Sequence, residues 1–145
     1  ANQPQEGEKI AEEMMTTGQN DIKVLNSVAN IYVDAGNAEK ATELFNKSIA
    51  INNNQLEPYR GLGLVYFNKA VADLQAAANV PMEDQAGYDK LIAQSNEHFK
   101  QAIPHFKKAL EIKDNDFSSL KALTTIYSKL QMKEEYQATS AKLQK

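Results

Sequence analysis

A spacing of 34 residues constrains this chain more than any other feature of it. Tyr32 and Tyr66 stand 34 residues apart, and the residues around them repeat in kind. A unit of that length is one helix–turn–helix, which cannot bury its apolar face alone and must stack on its neighbours. The chain is therefore expected to be a row of helix pairs whose stability is shared between adjacent units.

With Ile22 as position 1, Leu25 falls at position 4, Val28 at 7, Ala29 at 8 and Tyr32 at 11. Gly36 marks the turn, and Ala41, Phe45, Ser48 and Asn53 take positions 20, 24, 27 and 32. A second unit opens at Leu56 and places Tyr59, Leu62, Gly63 and Tyr66 at positions 4, 7, 8 and 11. The register then jumps. Ala102, Phe106, Ala109 and Ile112 follow Ala41, Phe45, Ser48 and Ile51 at a constant offset of 61, which exceeds one unit by 27. A third unit opens at Phe117, with Leu120, Leu123, Thr124 and Tyr127 in the same four places. The extra 27 residues are read as an insertion inside the second unit, with the register outside it preserved.

This pattern resembles the tetratricopeptide repeat family. That family carries a large apolar residue at position 4, Leu at 7, a small residue at 8, Tyr at 11, Ala at 20, an aromatic at 24, Ala at 27 and Pro near 32. The first unit matches nearly throughout, with Asn53 at the proline position. The second matches once the insertion is removed. The third departs in its second helix, where Tyr136 and Ser140 replace the Ala and the aromatic. The resemblance covers residues 22–145. It implies an all-α fold: a right-handed α-solenoid of about seven helices with one elongated antiparallel hairpin. The expected layout is a single domain over 1–145, with a lone second helix of a preceding repeat at 7–18. Repeat 1 spans 22–55, an extended repeat 2 spans 56–116 and repeat 3 spans 117–145.

Local signals refine this. Residues 1–6 read as loose and polar, and a helix is expected from Gly7 to Thr17 with Ile10, Ala11 and Met14 on one face. Asp21 suits an N-cap, because its carboxylate can accept from the free amides of a first turn, and Asp116 stands in the same register. Gly36 suits a left-handed C-terminal cap, and Asn37 can cap the helix that follows. Pro58 falls in a first turn, where its missing amide costs little. That helix does not stop on schedule. Ala70, Leu74 and Ala77 continue its apolar face up to Asn79-Val80-Pro81, and Tyr88, Leu91, Ser95, Phe99, Ala102 and Phe106 line a return helix. Split between the two, the insertion adds about 13 residues to each, a projection of roughly 20 Å. Val71, Ile92 and Met82 are candidates for an apolar stripe on its outer face. Pro104 should bend the return helix near Lys100–Ile103, as a plain bend or as a hinge that aims the projection.

The composition excludes several functions. A net charge of −3 gives no reason to expect nucleic acid or an acidic membrane as partner. No apolar run approaches the roughly 20 residues of a membrane span. There is no cysteine, hence no disulfide and no thiolate chemistry. The chain opens Ala-Asn-Gln-Pro-Gln without Met or signal peptide, and reads as a mature product or an excised piece. His98 and His105 are seven apart, whereas two imidazoles on one helix share a metal at a spacing of four. Gly61-Leu62-Gly63 lies inside a helix, so packing explains it better than a phosphate loop. Glu12-Glu13, Glu83-Asp84 and Glu134-Glu135 are neighbours that diverge by about 100° on a helix and cannot share a substrate atom. No catalytic residue, cofactor or metal is expected.

The resemblance implies instead a concave groove lined by positions 2, 5, 9 and 12 of each first helix. These are Lys23, Asn26, Asn30 and Val33, then Glu57, Arg60, Leu64 and Phe67, then Ser118, Lys121, Thr125 and Ser128. Asn26, Asn30, Val33, Arg60, Leu64, Phe67, Lys121 and Thr125 are the candidate peptide contacts: apolar anchors, amides for a backbone, and cations for a carboxylate. Leu64 and Phe67 have a second reading, in which they pack against the long hairpin. The subfamily that clamps chaperone C-terminal carboxylates wants Lys, Asn, Lys and Arg where Asn26, Gly61, Ser118 and Ala122 stand, so that ligand is not expected. The reading is a non-enzymatic scaffold or adaptor segment of a larger, bacterial protein; the residues leave its compartment open, and general resemblance leans to the periplasm or cell envelope. The alternative is self-association through the long hairpin or the exposed ends.

Overall fold

The computed structural model describes residues 3–145, and helix boundaries follow the capping residues. Asp21 is extended and its Oδ1 accepts from the Lys23 and Val24 amides, which starts α2 (Ile22–Asp34). Gly36 takes φ +76°, reverses the chain, and hands it to Asn37, whose Oδ1 accepts from the Lys40 amide at the start of α3 (Ala38–Ile51). α4 (Leu56–Ala78) and α5 (Gln85–Ile112) follow, with Asp84 capping the second. Asp116 opens α6 (Phe117–Lys129), and α7 (Lys133–Leu143) closes the chain. With α1 (Gln3–Gly18) this makes seven helices among the described residues, and an all-α solenoid.

The α6–α7 turn repeats the α2–α3 turn bond for bond. Asn37 N–H donates to Tyr32 O at 2.8 Å, and Met132 N–H donates to Tyr127 O at 2.9 Å. The residue reversing the chain is Gly36 in one and Gln131, at φ 58°, in the other. A side chain in that left-handed conformation costs about 1–2 kcal/mol that glycine avoids.

Two expectations need correction. α1 begins at Gln3, so residues 3–6 are helical rather than loose, while residues 1 and 2 lie outside the described residues. The extra turn is anchored where Glu8 accepts a 3.3 Å bond from Asn37 Nδ2 and Gly7 lies against Ile31. Val71 is no part of an outer stripe. It packs with Leu74 against the cluster formed by Phe99, Ala102, Phe106 and the α6 residues Leu123, Ile126 and Tyr127.

α4 and α5 have 23 and 28 residues, against 13 and 14 in α2 and α3. They run antiparallel: Gly63 meets Phe106, Tyr66 stacks on His105, Ser95 Oγ donates to Ala70 O at 2.8 Å, and His98 bonds Asp73 at 2.6 Å. α5 is continuous through Pro104. The core forms two cells that meet at α4. Ala11, Leu25, Val28, Tyr32, Phe45 and Leu62 fill one, and the Phe99–Tyr127 cluster fills the other. Gly61 and Gly63 lie between them, each with a buried phenyl ring, of Phe45 and Phe106 respectively, in the space a Cβ would need.

Candidate protein-binding surface

α2, α4 and α6 are the first helices of successive pairs, and their polar groups reach one another. Asn30 Nδ2 donates to Glu57 Oε1 at 3.0 Å, linking α2 to α4. Arg60 Nη1 donates to Asp116 Oδ1 at 3.1 Å, linking α4 to the cap of α6. Asn26 Nδ2 donates to Gln55 Oε1 at 3.3 Å, and Gln55 in turn donates to the Ser48 and Asn52 carbonyls. Burial pushes the Asp116 carboxyl up, but the Ser119 hydrogen bonds, Arg60 and Lys113 together outweigh it and hold the group below the usual aspartate range. Asp116 thus caps α6 and pairs with Arg60 as a carboxylate.

These links decide which of the expected contacts are open to a ligand. Asn26 is 3% exposed, and its buried Oδ1 has no hydrogen-bond partner in the protein, so it is not a contact on an open groove. Arg60 already spends a guanidinium nitrogen on Asp116. Phe67 is half-buried and sits edge-on to Phe99, with ring centroids 5.5 Å apart, so hairpin packing holds it. Thr125 donates to its own helix, to Lys121 O at 3.1 Å. Leu64 is 36% exposed, Lys121 is exposed, and Asn30 and Val33 are half-buried.

A pocket of about 170 Å³ lies where α4 runs past the α2–α3 turn. Val33, Gly36 and Ala38 line one side; Val65, Lys69 and Ala72 line the other. Apart from Val33, these residues were absent from the expected site. Val65, Lys69 and Ala72 recur at helical spacing on one face of α4, and that periodicity is the signal that could have found them. At the α6–α7 turn, Leu130 and Met132 pack against the core, and with Gln131 they line another pocket facing Asn96 and Lys100 of α5.

The histidines are both engaged with the other helix of the hairpin. His105 lies 5.5 Å from the Tyr66 ring at an interplanar angle of 4°, and burial lowers its pKa below the ordinary histidine value. Among the described residues no three His, Cys, Asp or Glu side chains gather as a metal site would need. No helix among them is long and apolar enough to cross a membrane.

Comparison with known proteins bears on the fold. Residues 22–55 match the family model described as tetratricopeptide repeat. No curated protein matches the sequence. A monomeric mutant of IFIT1 solved with Gppp-AAAA superposes at TM-score 0.73 and 24% identity, over 95% of this chain and 29% of that one. This chain therefore spans under a third of that structure. Crystal structures of MamA align at TM-scores of 0.37 and 0.38, with 18% and 20% identity, over 92% and 93% of this chain and 82% and 78% of theirs.

Proposed function

We propose that this tetratricopeptide-repeat chain is a non-enzymatic protein–protein interaction module that presents the concave side of α2, α4 and α6 to a peptide or protein segment. Its repeats are then residues 22–55, 56–116 with a lengthened hairpin, and 117–145, preceded by a lone second helix. One observation carries the reading. The polar groups of the first helices are tied to one another, while Leu64 of α4 remains an exposed leucine and Lys121 of α6 an exposed cation without an ion pair among the described residues. Pre-formed links of this kind leave a rigid surface, so binding costs little ordering. An apolar anchor on Leu64 and a carboxylate on Lys121 describe the partner's chemistry. The IFIT1 structure was solved with Gppp-AAAA, but here a net charge of −3 and the carboxylates Glu57 and Asp116 beside the groove favour a protein partner over nucleic acid.

The test is peptide selection on the immobilised chain, followed by titration of Leu64→Glu and Lys121→Glu. Both side chains are exposed enough for the helices to survive, which circular dichroism checks. The reading predicts that selected peptides lose at least roughly tenfold in affinity, about 1.4 kcal/mol, on Leu64→Glu. Unchanged affinity in both variants would discard the groove as the site.

A further inference from the structure

We infer that the chain forms a two-fold dimer in which the tip of each long hairpin fills the pocket at the base of the other. The tip carries Met82, which is 99% exposed, the most exposed large apolar side chain among the described residues. The base carries the pocket of about 170 Å³ between Val33, Ala38, Val65 and Ala72. A dry cavity of about 150 Å³ accepts a benzene-sized group, so this one has room for a methionine side chain.

Charge selects the same pairing. Glu83 follows Met82 directly and makes no ion pair among the described residues, while Asp84 is occupied as the α5 cap and Asp89 accepts from Gln85. Lys69 is the one charged residue lining the pocket; it lies over the Tyr66 ring and has no carboxylate partner among the described residues. An apolar anchor followed by a free carboxylate therefore faces an apolar pocket flanked by a free ammonium. Two tips carrying the same charge would repel each other, which disfavours tip-to-tip contact.

The α4 side of the pocket and the tip lie along one hairpin: Val65, Lys69 and Ala72 are on α4, and Met82 and Glu83 stand in the turn that follows it. Val65, Lys69, Ala72, Ala76 and Asn79 follow each other at helical spacing from pocket to tip. Roughly 14 Å of helix separates Lys69 from the end of α4. Two hairpins laid antiparallel bring each tip to the other's base, so a single two-fold axis satisfies both contacts and leaves no open end. Ala72 and Ala76 are exposed and small, which lets the two α4 helices approach. The inference does not rest on the groove reading: Val33 borders both surfaces, but neither Leu64 nor Lys121 lines the pocket.

Light scattering on the whole chain across a concentration series, at low and high salt, tests it. The expected result is a dimer that weakens with salt, because the Lys69–Glu83 pair is screened. Met82→Glu and Ala72→Glu should each shift it to monomer with unchanged helicity. Glu83→Lys alone and Lys69→Glu alone should each weaken the dimer roughly tenfold, about 1.4 kcal/mol. The double exchange should recover it. A wild type that stays monomeric at every concentration overturns the inference. So does a dimer indifferent to Met82→Glu, a double exchange that fails to rescue, or a mass that keeps growing past two chains. Leu64→Glu should leave the dimer intact, so failure here and failure of the groove reading give different results.

Discussion

Gly63→Ala decides between two opposed effects. In an isolated helix interior, alanine in place of glycine gains about 1 kcal/mol. Here an added Cβ would lie 2.7 Å from Cε1 and Cζ and 2.8 Å from Cε2 of Phe106, well inside van der Waals contact. Phe106 is fully buried between α4 and α6, so its ring cannot retreat without displacing Ala102, Leu123 or Tyr127. Overpacking of that kind costs about 1–3 kcal/mol. Subtracting the propensity gain leaves a net loss of about 1 kcal/mol at the middle of that range. Urea unfolding reads it directly, as a lower midpoint with an unchanged slope. Phe106→Leu should itself destabilise, yet Gly63→Ala should cost less in that background, with a coupling of about 0.5–1 kcal/mol. A Gly63→Ala protein more stable than the wild type would refute the account, because it would mean that α4 and α5 do not approach as closely as the ring contact requires.

Phe106→Ala should cost about 3–5 kcal/mol in the same assay. Tyr66→Ala should cost less, about 2 kcal/mol, because Tyr66 is half-buried beside His105 rather than enclosed; equal losses would contradict that burial difference. Gln131→Gly should stabilise by about 1 kcal/mol on relief of its left-handed backbone, partly offset by the entropy of glycine in the unfolded chain, and a lower melting temperature would contradict the turn assignment. The folded pKa of Asp116 is depressed, so its stabilisation is complete above the unfolded aspartate value near 3.9 and disappears as pH falls through the lower folded value. Asp116→Asn should therefore lower stability at neutral pH and flatten the acid limb of the stability profile. Parallel acid limbs in mutant and wild type would reject that linkage.

The parts of this fold legible in the sequence are those that local chemistry controls. Asp21, Asn37 and Asp116 cap helices because a short side-chain oxygen before an apolar period has one good use. Gly36 reverses the chain because only glycine does so without strain. The long hairpin was legible because its apolar face continued unbroken to Asn79-Val80-Pro81. The errors fall where periodicity carries no information. Residues 3–6 have no apolar stripe to announce a helix, and the Glu8–Asn37 bond that ties the same helix to the α2–α3 turn joins positions 29 apart in sequence. Val71 was placed outward because the 34-residue register gives no rotation for residues beyond it, and packing against Phe99 and the α6 cluster turned it in. The groove was half legible. Positions 2, 5, 9 and 12 name the surface, but not that Gln55, Glu57 and Asp116 would bond to Asn26, Asn30 and Arg60. Gln55 and Asp116 lie in a linker and a cap, outside those positions, and Glu57 at position 2 is named by the pattern without its partner.

The most direct test of the interaction-module account is amide chemical-shift mapping of the chain with a selected peptide. The account predicts perturbations concentrated on Asn30, Val33, Leu64 and Lys121, with the second-helix surface residues Glu43 and Lys107 unmoved. Perturbations centred on Glu43 and Lys107 instead, with the first helices silent, would contradict it.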